Sequence, residues 1–96
     1  MLSKGCVISV ADSSVSADFE REAIILNSNT GLYYGLENVG ARVWSLLQKP
    51  ITVLELIETV ASEYEVETER CENDLNILLE EFVAEGLVEV KKKSVT

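Results

Sequence analysis

Strand-forming and helix-forming segments are segregated along this chain, and that order limits the possible folds more than any other feature. Short β-branched and aromatic runs fill the first third, up to Leu36. From Val39 to about Glu85 the apolar residues instead recur at the 3.6-residue period of a helix. Strands followed by helices imply an α+β domain rather than an alternating parallel-sheet fold.

Three strands are expected, at residues 6–10, 23–27 and 32–36, with the polar stretch 11–18 read as a loop. Ser28-Asn29-Thr30-Gly31 separates the last two strands. Its Asn and Gly tolerate positive φ, which marks an antiparallel hairpin. Asn38 is placed to cap a helix over residues 39–48, with Val39, Val43, Leu46 and Leu47 on one face. Lys49-Pro50 ends that helix, because a residue before proline avoids the helical region.

Thr52-Val53-Leu54-Glu55 matches a capping box and opens a second helix to about Tyr64, striped by Val53, Ile57, Val60, Ala61 and Tyr64. Thr68 starts a third, with Cys71, Leu75, Leu78, Leu79, Phe82 and Val83 inward and Gly86 as terminator. Residues 87–90 add a short strand or pack as a tail, and Lys91-Lys92-Lys93 reads as a solvated end. The expected architecture is a three-stranded antiparallel sheet followed by three helices. It forms one domain over residues 1–96 and has the element order of a winged helix-turn-helix.

Composition removes several classes of chemistry. The chain has no histidine, so a His general base, a Ser-His or Cys-His nucleophile pair and a His-ligated metal are all excluded. It carries 17 acidic against 8 basic side chains, a formal charge of −9, which disfavours a nucleic-acid partner. Cys6 and Cys71 do not form a local CxxC pair and read as reduced, buried hydrophobes. The glycines compose neither a GxxxxGK[ST] loop nor a GxGxxG turn, and the carboxylates show no EF-hand spacing. A non-catalytic protein without cofactor or metal is expected. No secretory or membrane-spanning segment is legible, which points to the cytosol.

The binding signal lies in the third strand. Leu32, Tyr33, Tyr34, Gly35 and Leu36 are last in the expected sheet, so one edge of that strand is open to an added strand. Beside the inward stripe of the third helix runs a second row, Arg70, Asp74, Ile77 and Glu81, at i, i+4, i+7 and i+11. Ile77 is apolar outside the main stripe, and with the strand edge it outlines a groove for an extended peptide.

The run from Thr30 through Tyr33-Tyr34-Gly35-Leu36, Val39-Gly40-Ala41-Arg42-Val43-Trp44 and Leu46-Leu47 resembles the PqqD-like family, the recognition elements of ribosomally made, post-translationally modified peptides. Asp74-Leu75, Leu78, Phe82 and Gly86-Leu87-Val88 fit the same pattern, so the resemblance covers about residues 7–90. It implies a non-catalytic domain that takes a precursor's leader peptide antiparallel to the third strand, against the third helix. On that resemblance Leu32, Tyr33, Tyr34, Gly35 and Leu36 form one wall, and Arg70, Asp74, Ile77, Leu78 and Glu81 the other. Val43 and Trp44 are packing residues.

The form of the motif is similar to the stand-alone recognition protein of lasso-peptide clusters. That similarity implies a cysteine-protease-like leader peptidase and an ATP-dependent cyclase as partners. The alternative within the family is a chaperone that delivers the pyrroloquinoline quinone precursor to a radical SAM enzyme. Outside it stand a winged-helix DNA-binding regulator, which the acidic third helix disfavours, and a homodimer formed through the strand edge.

Overall fold

A computed structural model describes residues 2–92. Its elements run β1 (Val7–Val10), β2 (Ser14–Asp18), β3 (Glu22–Asn27), β4 (Leu32–Glu37), α1 (Val39–Leu46), β5 (Ile51–Thr52), α2 (Val53–Tyr64), α3 (Thr68–Ala84) and β6 (Val88–Lys91). The α+β class with three helices is as expected. The strands form two antiparallel three-stranded sheets, ordered β2-β3-β4 and β5-β1-β6.

Two of these strands differ from the sequence expectation. The stretch read as a loop contains β2, whose residues Ser14 to Asp18 pair with Asn27 to Ala23. Ser14 and Ser16 lie opposite the inward residues Asn27 and Ile25, while Val15 faces outward and is exposed. An edge strand held by ladder hydrogen bonds, with serines on its inner side, has no apolar signature to read. β1, by contrast, is absent from the hairpin sheet. It lies between β5 and β6, pairing Ile8 with Ile51 on one side and with Val90 on the other.

Local chemistry explains the turns. Gly31 takes φ 75° at the end of the β3–β4 turn, where its N–H donates to the Asn27 carbonyl at 2.8 Å. Thr52 and Glu55 form the expected capping box and start α2. Asn38 and Thr68 do not act as predicted. Asn38 sits at the head of α1 with φ 53° and no side-chain cap. It takes a positive φ with ψ −118° in the turn from β4 into α1, and its N–H donates to Arg21 O at 2.9 Å. Thr68 is already helical, and Glu67 holds the cap position without a side-chain bond.

The core fills the space between both sheets and the three helices. Trp44, Ile8, Ile25, Leu47, Leu56 and Leu79 are fully enclosed, and Trp44 meets Phe82 edge-on at 5.5 Å between ring centres. Val43 is buried with Trp44, in keeping with a packing role. Tyr64 and Val83, expected inside, are instead exposed, while Leu56 takes a core place. Cys6 and Cys71 are buried free thiols. Lys91 and Lys92 are exposed, and Lys93 lies outside the described residues. Among the described residues no helix is long and apolar enough to cross a membrane.

Candidate functional site

β4 is the terminal strand of its sheet. Its ladder runs Leu32 to Glu37 against Asn27 to Glu22 of β3, and its other edge pairs with no strand among the described residues. Because strand side chains alternate, Tyr33 and Gly35 point to the outer face, and Leu32, Tyr34 and Leu36 to the inner one. Tyr33 is 71% exposed, whereas Tyr34 and Leu36 pack against the core.

Facing this edge is α3, with one depression between the two and a second among the three helices. One, of about 370 Å³, is bordered by Tyr33, Tyr34, Gly35 and Leu36 of β4 and by Leu78, Glu81, Phe82 and Glu85 across from them. The other, of about 330 Å³, lies further along α3 where α1 begins. Val39, Gly40, Val60, Tyr64, Val66 and Leu75 give it apolar walls, with Cys71 and Asp74 beside them. Leu78 lines both, so the two depressions adjoin at that side chain and are described together as the groove. Gly40 sits close under Leu36, where an added Cβ would approach the Leu36 side chain at 3.6 Å.

The wall spacing is held by hydrogen bonds that converge on Glu85, the C-cap of α3. Tyr34 donates its hydroxyl to Glu85 Oε2 at 2.7 Å. Buried Asn27 donates from Nδ2 to the Glu85 carbonyl at 2.9 Å, and its Oδ1 accepts from the Asn29 N–H in the hairpin turn. Gly86 follows with φ 71°, against the Asn27 amide. The Tyr34 phenol is pushed above its ordinary range, first by its bond to Glu85, then by burial and by the charge of that carboxylate. In the apolar depression the Cys71 thiol is pushed up by burial and by Asp74, which leaves it a poor nucleophile.

Of the residues singled out in the sequence, Tyr33, Tyr34, Gly35, Leu36, Leu78, Glu81 and Asp74 line this groove. Leu32 continues the same strand edge beyond it. Arg70 and Ile77 line neither depression, and Ile77 is 60% exposed on the outer side of α3. Sequence reasoning missed Glu85 and the apolar corner of Val39, Val60, Tyr64 and Val66. Glu85 follows directly on the helix and reads as one more solvated acid. The corner is assembled from residues of α1, of α2 and of the connection between α2 and α3. No cluster of metal-ligating side chains occurs among the described residues.

The family model for coenzyme PQQ synthesis protein D (PqqD) matches residues 22–88, which include β4, the groove and α3. The chain is similar to the solved structure of TbiB1 in complex with the TbiA(beta) leader peptide. The two share 34% identity over 84% of this chain and 94% of that one, with a TM-score of 0.80. A lasso peptide synthetase B1 complexed with the leader peptide has the same fold. Its identity is 21%, its TM-score 0.75, and the match covers 85% of this chain and 96% of that one. No curated protein sequence matches the chain.

Proposed function

The chain belongs to the PqqD family, and we propose that it is a non-catalytic recognition protein that binds the leader segment of a ribosomally made precursor peptide by strand addition. The observation that carries this reading is the open edge of β4 beside the groove against α3. It occurs in a chain 34% identical to TbiB1, a protein solved in complex with a leader peptide. In this mechanism the leader pairs antiparallel with Leu32 to Leu36, each net backbone hydrogen bond contributing roughly 0.5–1.5 kcal/mol. Leader side chains on the inner face enter the groove beside Leu78, Glu81 and Asp74, while Arg70 and Ile77 border it from the outer side of α3.

Two or three apolar leader residues buried at roughly 1.5–3 kcal/mol each, less the ordering cost, bring affinity below micromolar. The bound precursor then has its core peptide held near the processing enzymes. In the lasso-peptide setting these are a cysteine-protease-like leader peptidase and an ATP-dependent cyclase, acting in the cytosol. The PqqD family match favours a second reading, delivery of a precursor to a radical SAM enzyme.

The test is titration of the purified protein with the fluorescein-labelled leader encoded beside its gene, followed by polarisation. Saturable sub-micromolar binding is expected, together with faster leader removal by the neighbouring peptidase. Absence of binding overturns the proposal, and stimulation of a radical SAM partner alone selects the second reading.

A further inference from the structure

The groove is chemically asymmetric along its length. Its deep end, at Val39, Val60, Tyr64, Val66 and Leu75, is apolar apart from Asp74 beside it. The other end is flanked by Glu81 and Glu85, and neither depression is lined by a lysine or arginine. Those two acids also stand at the C-terminal end of α3, where the backbone carbonyls already present partial negative charge. The last turn of the helix holds no basic residue to offset it. For the helix alone this is an unfavourable placement, and a cation brought by a ligand relieves it. One oxygen of Glu85 takes the Tyr34 hydroxyl; Glu81 stands one turn earlier on the same wall.

On the leader-binding reading, we infer that the preferred leader carries a lysine or arginine two or four positions C-terminal to the apolar residue anchored in the deep end, and that Glu81, with Glu85, selects it. The spacing follows from the geometry. From Leu75 to Glu81 the helix advances six residues and from Leu78 to Glu85 seven, about 10 Å at 1.5 Å per residue. An extended strand covers that distance in about three residues. Only alternate side chains face the same wall, so the cation falls at an even offset. The sense follows from the pairing: β4 ends at Glu37, beside the deep end, so an antiparallel leader enters there and leaves past Tyr34 and Glu85.

The experiment is selection of displayed random 14-residue peptides on the full chain, its Glu81→Gln variant and its Glu81→Lys variant, each checked for native circular dichroism. Wild type should enrich an apolar anchor with Lys or Arg two or four residues downstream. Glu81→Gln should lose that charge preference, and Glu81→Lys should replace it with Asp or Glu while keeping the anchor. A synthetic peptide from the wild-type pool should bind Glu81→Lys about fivefold more weakly, as expected for a reversed, partly solvated charge pair.

A common anchor without a charge preference, or a basic preference that survives Glu81→Lys, overturns this inference and leaves leader binding intact. Failure of any variant to retain peptides, with no binding of the encoded leader, removes the underlying reading as well.

Discussion

The hydroxyl of Tyr34 donates to Glu85 at 2.7 Å, joining the edge strand to the last turn of α3 across the mouth of the groove. A bond between the two walls fixes the width of the groove that separates them.

That bond has a pH signature. The phenol is raised by its bond to Glu85, so its contribution to stability is complete below the ordinary tyrosine range and disappears as pH rises through the folded value. An alkaline absorbance titration should contain a late tyrosine step that Tyr34→Phe removes. The same variant should bind the leader more weakly while keeping its circular dichroism. A titration curve unchanged in its latest step would show that Tyr34 is not held by Glu85.

Asn27 anchors the other side of Glu85 from within the core. Asn27→Ala removes the donor to the Glu85 carbonyl and the acceptor of the Asn29 N–H, and should cost about 2 kcal/mol in urea unfolding. A loss under a few tenths of a kcal/mol would mean that water replaces both bonds without penalty.

Groove and outer surface should separate in binding. Leu78 lies in both depressions, so Leu78→Glu should weaken leader affinity by about tenfold or more, the scale of one buried apolar contact. Ile77→Glu, one position earlier but facing solvent, should have a much smaller effect. Equal losses in two folded variants would place the peptide on the outer side of α3.

Arg42 grips Glu63 with two hydrogen bonds, at 2.9 and 2.8 Å, tying α1 to α2. The pairing, led by the hydrogen bond, holds the Glu63 carboxyl below its usual range. Its stabilisation is therefore present above the ordinary carboxylate range and lost as pH falls through the folded value. Both side chains are more than a third exposed, so the effect is modest. Glu63→Gln should flatten the acid limb of the melting temperature against pH, and an identical limb would deny the pair any role in acid stability.

What could be read from the chain beforehand was local. Gly31 in the hairpin turn, the Thr52–Glu55 box and Gly86 after α3 each act within a few residues, and each behaves as its chemistry requires. The family pattern from Thr30 to Leu47 also located the open strand. What stayed hidden depends on distant partners. β2 owes its strand to β3, and the deep corner joins Val39 of α1, Val60 of α2 and Val66 of the connection to α3.

The placement of β1 between β5 and β6 sets a timetable for folding. The central strand of that sheet leaves the ribosome first, and its last hydrogen-bonding partner, Lys91, leaves more than eighty residues later. Until then Ile8 has no Val90 opposite it. The hairpin that carries the open strand edge, complete by Glu37, can assemble long before the sheet that β1 centres.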